Sequence, residues 1–386
     1  MPLSHINVID LTRARSGPTC VRLLGQMGAQ VIKIETPGTG EDMISRDHYD
    51  FQNLHPNKRS LTLNLKHETG REILLKLAEH SDVLVENFRP EVKHRLRIDY
   101  ETLAEINPRL VYASISGFGQ AGPDRNRPGL DQIAQGMSGV MTVNGEPGRG
   151  PMRVGLPVAD LTAGYMAAYG VVLALFERER SGKGQWVHTS LLQAMVHLMD
   201  FQVVRWLIGG EVPPQQGNGH PIMAPTNVYR ARDGSLIIQA AGQQLFERLC
   251  RAIEAPELAA DQRFRDAARR VENRDALDRE IELRLGHRDA ADWIERLTEV
   301  GVPAGPILNV KQCFDNEQVR TLPLTAQVQH PRLGPLAVVG QGVNLERTPP
   351  RHRSAAPDLG EHTDEILAQL GYSAAEVAAF RQAGVV

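Results

Sequence analysis

Apolar and polar positions switch between two periods through the first half of the chain. Ile6-Asn7-Val8-Ile9-Asp10-Leu11 is a short apolar run, Pro18–Met27 has helical spacing, and Ala29–Glu35 is a second extended run. Ser60–Leu65 alternates residue by residue as a strand does, while His67–His80 repeats with the period of an amphipathic helix. A strand over Asp82–Glu86, a helix over Tyr100–Asn107 and a strand over Leu110–Ser116 continue the pattern. Alternation of this kind predicts parallel strands joined by crossover helices. In such sheets ligands collect at the carboxyl ends of the strands.

Beyond Gly209 the pattern breaks. The stretch GGEVPPQQGNGHPIMAP carries turn residues without periodicity and reads as a linker. Asn227–Ile238 then resembles a hairpin turning at Asp233-Gly234, helical spacing runs from Gln244 to about Glu299, and a second breaker follows at Gly301–Pro306.

Composition narrows the classes. The 386 residues are 41% apolar and 23% charged, ordinary for a soluble globular protein long enough for two domains. A net charge of -3 gives no support to nucleic-acid binding. Cys20, Cys250 and Cys313 are scattered and odd in number, which suits a reducing compartment better than a disulfide framework. The first strand begins at once with no secretory pattern before it, so the expectation is a cytoplasmic protein. The uncharged segment Leu161–Phe176 is short for a bilayer span and reads as a core helix, with no membrane partner expected.

One acid enters that apolar segment. In Pro157-Val158-Ala159-Asp160-Leu161-Thr162-Ala163-Gly164, Asp160 stands where a turn becomes a helix. Asp is a favoured N-cap, and capping alone would account for it. A carboxylate at a helix N-terminus is also kept ionised and can serve as a nucleophile. Elsewhere, Gly117–Gly122 fits G-x-G-x-x-G, but Pro123–Gly129 is turn-forming where a helix should start, so close backbone approach explains these glycines better than a dinucleotide. Arg13 and Arg15 follow the first strand directly. Glu86-Asn87-Phe88-Arg89-Pro90 mixes an amide, a ring and a guanidinium, fit either for a nucleotide or for an ordinary loop. His188, His197 and His220 lack metal-ligand spacing, so no metal site is expected, and no serine-hydrolase or P-loop motif occurs.

Taken in order, INVIDLTRARSGP, LGQMGAQVIKIETPGTG, NKRSLTLNLK, DVLVENFRPEV, NPRLVYASISGFGQAGP, PVADLTAG, RERSGKGQWVHTSLLQAM, GVPAGPI and LGEHTDEIL resemble the class III CoA-transferases, the group of formyl-CoA transferase and carnitine CoA-transferase. The resemblance implies that Asp160 attacks an acyl-CoA thioester, passing through an aspartyl anhydride and an aspartyl-CoA thioester. It implies an oxyanion donor in the smaller domain, matched here by Gly242 within Ala240–Gln244. It places coenzyme A, as acyl-CoA substrate and not as a tightly bound cofactor, on Arg15, Ser16, Leu63, Lys66, Asn87, Phe88, Arg89 and Arg95. Thr36 departs from an arginine in formyl-CoA transferase, so adenine contacts would differ. The second substrate would be a small carboxylic acid, with a leaning towards dicarboxylates.

The fold so implied is α/β: a doubly wound, largely parallel, Rossmann-like large domain with a smaller α+β domain, assembled as an intertwined homodimer. The layout is 1–208 for the CoA-binding domain, 209–225 for a linker, 226–305 for the small domain, and 306–386 for a linker and a C-terminal segment completing the large domain. Two other functions compete. Racemisation of a 2-methylacyl-CoA needs an acid/base pair, yet Gly129-Leu130-Asp131 lacks the racemase histidine and Gln243 stands where a glutamate is expected. A non-catalytic CoA-binding protein would leave Asp160 as a cap only.

Overall fold

A computed structural model describes residues 1–39 and 44–386; the last glycine of the LGQMGAQVIKIETPGTG stretch, Gly40, lies outside them. The larger unit comprises Met1–Met141, Arg153–Glu211 and Leu322–Val386. Its centre is a six-stranded sheet of β1 (Asn7–Asp10), β2 (Gln30–Glu35), β3 (Lys58–Thr62), β4 (Val83–Glu86), β5 (Val111–Ser116) and β6 (Trp186–Ser190), in the order β3-β2-β1-β4-β5-β6. Every pairing is parallel. The doubly wound α/β expectation therefore holds, with the order reversing between β1 and β4.

The strands are apolar because both faces are covered. Alternate residues diverge: Val8, Val83, Val85, Val111 and Ala113 bury with the helices Ser16–Gln26 and Val158–Ser181 on one side. Ile9, Leu84 and Tyr112 bury on the other, with the helix Glu68–Glu79 and with Ile366, Leu367 and Val377 from the C-terminal helices. The last segment of the chain thus shares a core with its first strands. A hairpin of β10 (Thr325–His330) and β11 (Gly334–Val339) also belongs to this unit.

The helix Val158–Ser181 is longer than the apolar segment that announced it and is long and apolar enough to cross a membrane. Here its small-residue stripe, Ala159, Ala163, Gly164 and Ala167, is buried against the sheet layer. A Cβ built on Gly164 would lie 2.6 Å from the Ser16 carbonyl oxygen and 2.9 Å from Thr19 Cβ, so glycine sets how closely the two helices approach. At its far end Arg178 is buried and pairs with Asp82 at 2.9 Å.

The smaller unit comprises Thr142–Met152 and Val212–Thr321. It holds an antiparallel sheet of β7 (Thr226–Arg230), β8 (Ser235–Gln239) and β9 (Ala304–Pro306), with helices Gln243–Ala252, Arg274–Leu285 and Ala290–Glu299 closing a core around Tyr229, Phe246, Phe264 and Trp293. The hairpin at Asp233-Gly234 forms as its turn residues indicate.

Candidate active site

Of the sequence-selected residues of the larger unit, Arg15 and Ser16 follow the carboxyl end of β1, and Asn87, Phe88 and Arg89 follow that of β4. The turn after β1 is anchored from below by Asp10, which is fully buried. Its Oδ1 accepts from the Thr12 N–H at 2.9 Å and its Oδ2 from Lys58 Nζ at 2.8 Å. Burial pushes this carboxyl up, but Lys58 and Lys33 outweigh it and hold it below the usual carboxylate range. Ala14 then takes a left-handed φ of 60°, a conformation that L residues adopt at a cost.

Asn87, after β4, clasps this turn across the point where strand order reverses. Its Oδ1 accepts from the Arg13 N–H at 2.9 Å and its Nδ2 donates to the Arg13 carbonyl at 2.8 Å. Its amide therefore holds the β1 turn in place. Arg13 extends across the end of β2, donating to Thr36 Oγ1 at 3.1 Å. A guanidinium thus stands beside the position where formyl-CoA transferase carries an arginine. Arg15 pairs with Asp50, an acid of the helix Tyr49–Leu54.

Phe88, Arg89 and Asn87 line a cavity of about 340 Å³ together with Arg125, Arg127 and Leu130. The loop is set by Glu86, which is buried, accepts from the Phe88 N–H at 2.8 Å and pairs with Lys93 at 3.0 Å. Leu63 is a core side chain whose N–H is taken by the Glu35 carbonyl at 2.7 Å. Lys66 and Arg95 are exposed on the surface, Arg95 in the last turn of the helix Pro90–Leu96.

Asp160 is the third residue of its helix, behind Pro157, and does not cap it. The cap comes from another element. Asp131 Oδ1 accepts from the N–H groups of Ala159 at 2.8 Å and Asp160 at 3.2 Å. Arg15 and Ser16, at the start of the helix Ser16–Gln26, both favour the ionised form of the Asp160 carboxyl. Its titration is pushed up to about 6, chiefly by burial and then by the charge of Asp131, against the opposing pull of Arg15 and Ser16. The expectation was that the helix terminus keeps this carboxyl ionised; burial and Asp131 work against that and raise it. The acid stays largely ionised at neutral pH, yet is a stronger base than an ordinary aspartate.

Among the glycines of G-x-G-x-x-G, Gly117 meets Gly129: a Cβ on the first would lie 2.8 Å from Cα of the second. Among the described residues no helix begins between Gly117 and Asp131, in keeping with close approach and not with a dinucleotide fingerprint. Gly242, in the smaller unit, precedes the helix Gln243–Ala252 with φ -69° and ψ 145°. Its loop is fixed by Arg270, a fully buried guanidinium that donates to the Ala241 carbonyl at 2.8 Å and Gln243 Oε1 at 2.9 Å and stacks 4.6 Å from the Phe246 ring.

Four participants escaped the sequence reading: Asp131 as the cap, Arg125 and Arg127 beside Phe88, and Asp50 as the partner of Arg15. The arginines sit in a turn-forming stretch where surface charge is the ordinary reading. Asp131 was visible only as the residue after a missing histidine.

Comparison with known proteins bears on this arrangement. Residues 3–363 match the family described as CoA-transferase family III. The acetyl-CoA:oxalate CoA-transferase of Acetobacter aceti is 39% identical over 368 residues, covering 93% of each chain. The succinyl-CoA:mesaconate CoA-transferase of Haloarcula marismortui is 36% identical over 384 residues, covering 96% of each, and the succinyl-CoA:glutarate CoA-transferase of Mus musculus is 34% identical over 377 residues, covering 96% of this chain and 86% of its own. Among solved structures, a CAIB/BAIF family protein from Brucella suis matches with a TM-score of 0.84 at 33% identity, over 96% of this chain and 99% of that one. With the doubly wound sheet and the strand-end site already in place, these likenesses settle the family: the chain belongs to CoA-transferase family III.

Proposed function

We propose that the enzyme moves CoA from an acyl-CoA donor to a carboxylic acid acceptor, with Asp160 as the nucleophile. The observation that carries this reading is the setting of Asp160: an acid in the first turn of an apolar helix, raised to about 6 by burial and Asp131, with Arg15 near enough to oppose that rise. A structural cap would be used up by the helix N–H groups, and here those are taken by Asp131.

The ionised Asp160 adds to the thioester carbonyl; the C–S bond breaks, CoA leaves as thiolate and a mixed anhydride remains. The thiolate then adds to the aspartyl carbonyl, the C–O bond breaks and the donor acid departs, leaving an aspartyl-CoA thioester. The incoming carboxylate repeats both steps in reverse. Each addition develops an oxyanion, for which the N–H of Gly242 is the assigned donor. The CoA thioester is a substrate, and the chemistry needs no resident cofactor. Arg89, with Arg125 and Arg127, supplies cations beside a ring suited to stacking on adenine. Arg13, Arg15, Ser16, Lys66 and Arg95, with the backbone at Leu63, complete the assigned surface.

The relatives named for oxalate, mesaconate and glutarate support a dicarboxylic acid as acceptor. A homodimer is supported by large apolar side chains left exposed on the long helix and beyond it, Tyr169 and Phe176 at 67% and 72% and Ile208 at 84%. Three free thiols suit the cytoplasm. The decisive experiment replaces Asp160 by Asn and measures CoA exchange over a panel of acyl-CoA donors and mono- and dicarboxylic acceptors. Retained turnover would remove Asp160 from the mechanism, and exchange confined to monocarboxylates would remove the dicarboxylate assignment.

A further inference from the structure

Asp131 does more than stand near the nucleophile. It opens the helix Asp131–Met137, and one of its oxygens takes the two N–H groups that begin the nucleophile helix. The other oxygen accepts from Gln135 Nε2 at 2.6 Å. Gln135 is fully buried; its Nε2 also donates to the Leu156 carbonyl at 3.3 Å, and its Oε1 accepts from the Val154 N–H at 2.9 Å. One turn of helix therefore holds the whole approach from Val154 to Asp160 through four backbone groups. The charged groups that bear on Asp160 are Asp131 from this helix and Arg15 from the turn before the helix Ser16–Gln26.

We propose that Asp131 is a positioning residue with two roles: its carboxylate fixes the first turn of the Val158–Ser181 helix, and its charge drives Asp160 from the free carboxylate towards the covalent aspartyl states. The inference rests on Asp160 being the covalent nucleophile. Overall, the Asp160 carboxylate and an acyl-CoA give the aspartyl-CoA thioester and the free donor acid. A negative charge leaves Asp160 and departs with the donor acid. A fixed anion beside Asp160 destabilises only the left-hand side, so the covalent species gains population.

The test uses the full-length enzyme with succinyl-CoA and acetyl-CoA as probes. The succinate or acetate concentration is chosen to leave about half of the wild type as adduct, a point at which occupancy responds most steeply to a free-energy change. Peptide mass spectrometry after hydroxylamine trapping reads the acylated fraction at Asp160, and the acid limb of kcat/KM is recorded alongside. In Asp131→Asn the side-chain oxygen can still accept the helix N–H groups while the charge is gone. The adduct-to-free ratio should fall roughly tenfold and the acid limb move down by about one pH unit, the effect of one neighbouring charge. Gln135→Ala disturbs the same hydrogen-bonded turn without removing charge and should lower the melting temperature while leaving the acid limb in place. Wild-type occupancy and an unmoved limb in folded Asp131→Asn would overturn the proposal. So would a limb shifted equally by Gln135→Ala, since packing and not charge would then be responsible. If the wild type itself gives no label at Asp160 with either probe, the covalent reading of Asp160 is what has failed.

Discussion

Two glycines separate the logic of the two units. Gly164 of the larger unit has no room: any Cβ would collide with the Ser16 carbonyl and Thr19. Gly242 of the smaller unit has φ -69°, open to every residue, and among the described residues nothing lies within 4 Å of a Cβ placed there. The first glycine is demanded by packing, which brings the start of one helix against the carboxylate of another. Packing among the described residues does not demand the second, so the oxyanion role proposed for it can be tested without disturbing a core. Asp160, the proposed nucleophile, is held by a packed core; Gly242, the proposed oxyanion donor, sits on an open turn fastened by Arg270.

The sharpest break in this contrast comes from the nucleophile itself. Asp160→Asn should reduce CoA exchange by roughly 10⁴-fold or more, the scale seen when a covalent nucleophile is removed, measured with matched donor and acceptor acids. Next comes Gly242→Pro, which fits the observed φ and removes the N–H, with Gly242→Ala as the control that keeps it. Loss of one oxyanion donor should lower kcat by roughly 10²- to 10³-fold with the melting temperature unchanged; full activity would withdraw Gly242 from the site. Gly164→Ala should do the reverse in kind, lowering stability by about 1–3 kcal/mol through overpacking, read by denaturant titration, whereas Gly242→Ala should stay within about 0.5 kcal/mol of wild type.

The smallest effects concern pH. Asp160 titrates near 6 in the folded chain, against 3.8 for an ordinary aspartate. The nucleophile must be ionised, so kcat/KM should fall as pH drops through 6. Stability runs the other way, because a raised folded pKa means that ionisation costs folding free energy as pH climbs from 3.8 to 6. Asp160→Asn should therefore melt higher than wild type at pH 8 and together with it near pH 3.5. A mutant that melts lower at pH 8 would show that the carboxylate is a structural support after all.

Much of the larger unit was legible because of how it buries its strands. β1, β4 and β5 lie between two helical layers, so their residues are largely apolar runs that sort by parity, Val8 to one side and Ile9 to the other, while β3 at one edge was legible from its alternation. β6 escaped because Trp186–Ser190 is an edge strand, only partly buried and half polar. The long helix was read too short because charge at Glu177 looked like an end, while Arg178 is carried into the core by Asp82. Asp160 stood out as an isolated acid in an apolar context. The capping of its helix did not, since Asp131 and Ala159 are 28 residues apart and no local pattern joins them. Helix ends satisfied from another element leave no trace in spacing.

Asp10, Lys33 and Lys58 come from three neighbouring strands and are all buried beneath the β1 turn, Lys33 Nζ reaching the Thr12 carbonyl at 3.1 Å. Replacing Asp10 or Lys58 alone strands an uncompensated charge inside the protein, at about 3–5 kcal/mol. That is a large part of what holds any domain folded. The three positions are therefore coupled as a block. The turn above them can be altered one residue at a time, while the trio beneath it avoids that cost only by concerted replacement.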